Sequence, residues 1–324
     1  MSFKKIKNNL GKLAISKYLI VDDFPGFNAH KIGFEPNSRF ITVLITSENR
    51  ESFIFNPGGG KYLSIQYDIE CTIKSTSKGI EKNKTFSMLT LKSKDADIED
   101  YFIELCAIFI KRLGNKPEIL EVKNQFEKLE SIFIKLSKTS NKSILGLWGE
   151  LFLIATANNA EYIINSWHKD GNDKFDFNDG IDKLEVKTTT QNRRKHNFEI
   201  QQLKKFSNSI TIIASVITSE TDNGTSIGNL LNQIKNNISS DLYEKLILKT
   251  FDVIGDKIND IENTKFDYKI AESEIKFYFS EDIPKPEIIP VEVFEVRFQT
   301  DLSNIRAIPK SKFKGLLLKS IKAS

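Results

Sequence analysis

Alternation of apolar and polar residues is clearest over residues 63–74. Leu63, Ile65, Tyr67, Ile69, Cys71 and Ile73 alternate with Ser64, Gln66, Asp68, Glu70, Thr72 and Lys74. A period of two predicts a half-buried antiparallel strand with one wet face. Residues 86–91 read as its partner, 39–46 as a largely apolar strand and 52–55 as a short one. Between them stands Pro57-Gly58-Gly59-Gly60. No helix and no Lys-Ser/Thr pair follows, so this reads as a hairpin turn and not as a phosphate cradle. The front of the chain is therefore expected to be β-rich.

Beyond it the period lengthens to that of a helix. Over 97–113, Ile98, Tyr101, Phe102, Leu105, Phe109 and Leu113 form one stripe, with Gly114 at the end and Pro117 just after. A second helix is expected over 118–138, along Ile119, Val122, Phe126, Leu129, Phe133 and Leu136. Residues 143–157 are apolar on nearly every side, which predicts a buried helix. Gly146 and Gly149 would let it approach a sheet closely. Strands are then expected at 162–167, 175–177 and 184–188, a helix at 198–206, and a fully apolar strand at 209–218. From residue 226 the pattern gives a helix over 227–238, another opened by Asp241 and Glu244 as a capping box, and strands at 265–279 and 291–298 around Pro284, Pro286 and Pro290.

Charge breaks this pattern at a few places. Glu150 is the sole ionisable group of the buried helix. Such a carboxylate is costly unless paired, hydrogen-bonded or metal-bound, so it is either a structural acid or one face of a metal site. In Lys174–Thr190, Asp179-Gly180 marks a tight turn between two strands. Side chains alternate along a strand, so Glu185 and Lys187 share a face, and Asp176 on the neighbouring strand can join them. Two acids and a lysine suit phosphodiester hydrolysis. Asp176 and Glu185, with the Val186 carbonyl, would hold Mg²⁺, with Mn²⁺ able to substitute, and Lys187 would position the nucleophile. Glu121-Val122-Lys123 repeats the tripeptide on a helix face without an acidic partner. Asp267 with Glu274 and Lys276 is a second, strand-like repeat. Only the Asp176 copy sits in the order helix, three strands, helix, strand.

Arg193, Arg194, Lys195 and His196 follow the second strand. They either grip a DNA backbone or form a solvated loop. His196 reads as a phosphate contact or a structural residue before a general base, Trp148 and Trp167 as core, and His30 and His168 carry no assignment. The net charge of +4 is compatible with nucleic acid without requiring it. Lysines abound along with Asn and Ile, so their scatter carries no weight. No apolar run reaches the ~20 residues of a membrane-spanning helix and no signal peptide is read, so no membrane partner is expected. Cys71 and Cys106 lie in apolar patterns without metal-ligand spacing, giving two buried thiols in a reducing cytoplasm.

An Asp followed on the next strand by Glu-x-Lys resembles the PD-(D/E)XK nuclease signature, with Phe175 where a Pro usually stands. The wider set G-L-W-G-E-L-F-L (146–153), F-D-F, L-E-V-K-T-T, R-R-K-H and Q-L resembles the PD-(D/E)XK family encoded beside ATPases and DNA methyltransferases in bacterial restriction and phage-defence operons. That resemblance implies Asp176, Glu185 and Lys187 as the catalytic set with Glu150 as accessory acid, and places Gln202, His196 and Arg194 near the site. The expected architecture is α/β (α+β overall). A restriction-endonuclease-like αβββαβ core with its lead-in helix (116–225) is flanked by a β-rich N-terminal domain (1–115) and an α+β C-terminal segment (226–324). The expected function is a cytoplasmic, Mg²⁺-dependent DNA endonuclease of such a system. DNA, an operon ATPase and methyltransferase, and a second copy of the chain are the expected partners. The alternative is a non-catalytic adaptor that binds DNA or a partner.

Overall fold

The structure is a computed structural model that describes residues 18–49, 54–136, 143–167, 174–204, 209–258 and 260–321. The N-terminal lysines, His168 and the ends of three expected elements (52–53, 137–138 and 205–206) lie outside these residues. Tertiary contacts divide the α+β chain into two compact units, Met1–Thr139 and Ser140–Ser324. The boundary falls after the expected lead-in helix, and the expected C-terminal segment belongs to the same unit as the Asp176 motif. Among the described residues no helix is long and apolar enough to cross a membrane.

The first unit begins with β1 (Leu19–Phe24), β2 (Phe27–Phe34), β3 (Ile41–Ile45), β4 (Gly58–Gly59), β5 (Leu63–Ser75) and β6 (Gly79–Leu91). The strand order is β1-β2-β3-β6-β5-β4, and β1 also pairs in parallel with β5, Leu19 opposite Ile73. Five strands thus return on themselves around Leu19, Val21, Leu44, Ile73, Phe86 and Met88. The Gly-rich stretch pairs back onto β5 as an antiparallel hairpin, as its composition predicts. Register shifts at Gln66/Ile69 and Cys71/Ile73 interrupt the ideal alternation of β5. Cys71 is consequently half-buried, not buried as expected, while Cys106 is buried. Helix α1 (Ala96–Leu113) is capped by Asp95, and α2 (Ile119–Lys135) by the Glu118–Glu121 box. The Glu121 carboxylate is used by that cap, and Lys123 pairs with Glu127 at 2.5 Å. The first repeat of the tripeptide is therefore helix surface chemistry.

The second unit opens with α3 (Ile144–Ala155), whose residues from Leu147 to Ile154 are all buried. Helix α4 (Ala160–Ser166) follows where a strand was expected. Asn159 caps it through the Tyr162 N–H at 3.0 Å, and Ile163, Ile164 and Trp167 are buried at helical spacing. Only Trp167 retains strand character, as an antiparallel bridge to Phe177. Next come β7 (Phe177–Asn178), β8 (Lys183–Thr189), β9 (Lys195–Glu199), a 3-10 turn over Ile200–Leu203 and β10 (Thr211–Ile217). The helix expected over 198–206 is thus the end of a strand and one turn. His196 and Phe198 are buried while Lys195, Asn197 and Glu199 are exposed, a period of two that excludes a helix here.

The chain continues through β11 (Glu220–Ser226), α5 (Ile227–Lys235), α6 (Ser240–Ile254), α7 (Asp260–Asn263), β12 (Lys265–Phe266), α8 (Tyr268–Glu274), β13 (Lys276–Phe279), β14 (Arg297–Asp301) and α9 (Leu316–Lys319). Ser239, two residues before the expected box, caps α6. The strand expected over 265–279 is broken by α8, which Asp267 caps through the Ile270 N–H at 2.9 Å. Asp267 and Glu274 therefore stand at opposite ends of a helix, and this second repeat forms no strand pair. The last expected strand lies further along, at Arg297–Asp301, where it pairs with β9. The central sheet has the order β13-β10-β8-β7, with β10 parallel to β8 and both outer strands antiparallel.

Helix α3 packs on β8 through a close approach. A Cβ built on Gly149 would stand 1.8 Å from Thr188 Oγ1, a buried hydroxyl without a hydrogen-bond partner. Gly149→Ala should destabilise the fold by about 1–3 kcal/mol despite its better helix propensity, because Thr188 is β-branched and its χ1 has little freedom to move away. A denaturant midpoint equal to or above that of the wild type would show that β8 yields freely.

Candidate active site

The turn between β7 and β8 sets the site. Gly180 has φ +95°, a conformation that side chains rarely adopt, and Asp179 Oδ1 accepts the N–H groups of Ile181 (2.9 Å) and Asp182 (2.7 Å). The pairing Phe177–Leu184 and Asn178–Lys183 that follows, continued by one residue, brings Asp176 opposite Glu185. Directly opposed residues of an antiparallel pair point to the same face.

Backbone pairing stops at that point and a side chain takes over. Asp176 Oδ2 accepts the Val186 N–H at 2.8 Å. The N–H and C=O of one strand residue point to the same edge, so the Val186 carbonyl also lies on the side of Asp176. Lys187 Nζ donates to Glu185 Oε1 at 2.8 Å, and Gln202 Nε2 donates to the same oxygen. Gln202 is held by its other end, since its Oε1 accepts the Glu199 N–H at 3.1 Å. Lys187 Nζ also lies 5.5 Å from the centroid of the Phe198 ring.

Glu150 completes the group from below. It is 1% exposed, against 8% for Asp176 and 5% for Glu185, and accepts the Trp167 indole N–H at 2.8 Å. The functional part of Trp167 was missed in the sequence. A buried indole N–H needs an acceptor, and the only nearby ionisable group in the apolar run was Glu150. All three acids and Lys187 line one open cleft of about 520 Å³, together with Ser143, Gly146, Lys195, His196, Asn197 and Gln299. Asn197 and Gln299 were also missed, because the pairing of β9 with β14 joins residues a hundred positions apart.

The basic run divides into two functions. Arg193 and Lys195 are exposed, whereas Arg194 is 3% exposed. Arg194 Nη1 donates to Ser215 O (2.9 Å) and Oγ (3.1 Å), and Nη2 to the Glu274 carbonyl and to its carboxylate at 3.2 Å. Burial lowers its pKa, and Glu274 works in the opposite direction. An arginine enclosed in this way cannot grip a DNA backbone, which corrects that part of the expectation. His196 Nε2 meets Ser215 Oγ at 2.7 Å, and the parallel register puts Ser215 beside Lys187. Burial first, then the charges of Lys187 and Arg194, lower the His196 pKa to about 4.

A neutral imidazole is therefore built into the fold. The unfolded chain takes up a proton near the ordinary histidine value of 6.5 and the folded chain only near 4. Stability present above pH 6.5 should be lost as the pH falls towards 4, by roughly 3 kcal/mol in total. Denaturant midpoints at pH 7 and pH 4.5 should thus differ less in His196→Asn than in the wild type. Equal pH dependence in both would remove His196 as the cause.

The donor set available to a cation is two carboxylates, one backbone carbonyl and the more deeply buried Glu150. These are hard oxygen ligands, which suit Mg²⁺ or Mn²⁺ and not a soft metal. Among the described residues, no three His, Cys, Asp or Glu side chains form a ready-made metal cluster. A cation here would be held by Asp176, Glu185 and the Val186 carbonyl, with water supplying the remaining ligands.

A family model with the description "Putative PD-(D/E)XK family member, (DUF4420)" matches residues 18–303. No curated protein and no solved structure gives a match.

Proposed function

The chain belongs to the PD-(D/E)XK family whose model spans it, and from that membership we propose that it is a metal-dependent DNA endonuclease. The observation that carries the reading is the convergence of Asp176, Glu185, Lys187 and Glu150 on one cleft, with Asp176 bound to the Val186 N–H and Lys187 to Glu185. The parallel β8–β10 pair, the antiparallel β7, the Trp167–Phe177 bridge and α3 packed on β8 support a restriction-endonuclease-like core. One expected strand is reduced in it to a single residue, and the crossover helix to a single turn.

Asp176, Glu185 and the Val186 carbonyl hold Mg²⁺ or Mn²⁺ in this reading. When bound, the ion acidifies an attacking water and neutralises charge growing on the phosphate. The protein side of the chemistry is positioning. Lys187 and Gln202 both donate to Glu185 Oε1, so Oε2 is the oxygen that would be left for a cation. The remaining Lys187 protons orient the nucleophile or stabilise the equatorial phosphate oxygens. Glu150, fixed by Trp167, supports the ligand shell from the buried side. Lys195 lies exposed on β9 at the rim of the cleft, with Asp301 across from it. Such an enzyme works in the cytoplasm as the effector of a restriction or phage-defence system, with an ATPase and a methyltransferase as its operon partners. A second copy would supply the second active site needed to cut both strands.

Nicking of supercoiled plasmid by the purified chain, in Mg²⁺, Mn²⁺ or EDTA and with or without the neighbouring gene products, tests the reading. Cutting that requires the metal is the expected result. No cutting in any combination, with no metal dependence of the melting temperature, would instead favour an adaptor that binds DNA or a partner without chemistry.

A further inference from the structure

Strands β9 and β14 form a two-stranded ribbon on one side of the cleft, apart from the central sheet. Its inner face is anchored by Phe198 and Phe298, whose ring centroids are 6.2 Å apart. Its outer face is a row of cross-strand pairs in register: Lys195 with Asp301, Asn197 with Gln299, and Glu199 with Arg297. Arg297 Nη2 contacts Glu199 Oε1 at 2.8 Å, and Lys195 and Arg193 both act on Asp301. Each charge on this row has an opposite charge across from it. The ribbon as a whole is therefore not a strip for phosphates, which need uncompensated cations.

The central pair is different in kind. Asn197 and Gln299 are exposed, and both line the cleft that contains Asp176, Glu185 and Lys187. Their one mutual contact, Gln299 Nε2 to Asn197 Oδ1, is 3.4 Å long, at the weak end of the hydrogen-bond range. Each amide presents a donor and an acceptor, the pairing that matches the N6 and N7 edge of adenine. A two-stranded ribbon also fits the major groove of B-form DNA, about 12 Å wide, whereas the deep major groove of an RNA duplex excludes it.

Resting on the nuclease reading of the cleft, we propose that the β9–β14 ribbon enters the major groove of duplex DNA and that Asn197 and Gln299 read base edges there, selecting adenine-bearing steps at a fixed offset from the cut. Phosphate contacts set the register of the duplex, and these two amides supply the sequence dependence.

The test uses the full chain and a duplex library randomised around the cleavage position, read in two arms. One arm sequences the cut ends. The other sequences the DNA retained by chain carrying Asp176→Asn, so that selection is read without cutting. The readout is the ratio between sequences, which does not depend on the overall rate. Wild type should enrich adenine at one or two positions by roughly 10-fold each. Asn197→Ala with Gln299→Ala should lose that enrichment while melting at the wild-type temperature. Equal enrichment in both proteins, or none in the wild type, would overturn the proposal. So would a uniform loss of binding over all sequences with a shallower salt dependence, which marks phosphate contacts. Enrichment in the binding arm without cutting under any metal would leave this proposal standing and the nuclease reading refuted.

Discussion

Asp176→Asn should reduce metal-dependent nicking by about 10³-fold or more, the several kcal/mol that metal-assisted charge stabilisation supplies. The substitution is chosen because Asn keeps an oxygen for the Val186 N–H, which Asp176 caps at 2.8 Å. What it removes is the negative charge that a divalent cation requires. Stability should therefore change by less than about 1 kcal/mol, the size of one altered neutral hydrogen bond. Lys187→Ala should cost roughly 10²–10³-fold, as the loss of one donor aimed at developing charge does. Plasmid nicking alongside thermal melting separates activity from folding. Wild-type cutting by either variant would mean that the Asp176 cleft is not where the chemistry happens.

A second large effect should appear in stability alone. Arg194→Ala removes a guanidinium that serves Ser215 and Glu274 at once from a position 3% exposed. It removes a charged donor from the buried Ser215 carbonyl and hydroxyl and should destabilise the unit by about 1.5–3 kcal/mol, the range for a hydrogen bond to a charged group. Arg193→Ala, on an exposed neighbour, should stay within about 0.5 kcal/mol. Urea denaturation of both gives the comparison. A small loss for Arg194→Ala coupled with weaker DNA binding would restore it to the DNA-contacting group from which its burial removes it.

The two arginines illustrate how far the chain could be read in advance. Adjacent in sequence and identical in chemistry, they separate because Arg194, just before β9, turns in to Ser215 on β10 while Arg193 stays exposed. The Asp176–Glu185 pair was legible since both partners lie within ten residues, joined by a turn that Asp179 and Gly180 announce. The Leu63–Ser75 strand was legible for the same reason, its period being local. Residues 162–167 misled because a short apolar run fits a strand or a buried helix equally, and the Asn159 cap decided it. Asn197, Gln299 and Ser215 carry no local signal, as their placement depends on which strands pair. The decoys were set aside in the sequence by element order and by the missing acidic partner, and three dimensions add how their acids are used: Glu121 and Asp267 cap helices, and Glu274 binds Arg194.

The return of β1 onto β5 has a consequence for how the first unit is made. Leu19 must find Ile73 across more than fifty residues, a contact of high sequence separation that is slow to form because the entropy of closing the intervening chain is lost first. β1 leaves the ribosome long before that partner exists, so it can pair only with β2 at first, and its other edge stays open. Open strand edges are templates for a neighbouring nascent chain. The rate at which β5 arrives and closes the ring then governs how much of the nascent unit is lost to aggregation before it is folded.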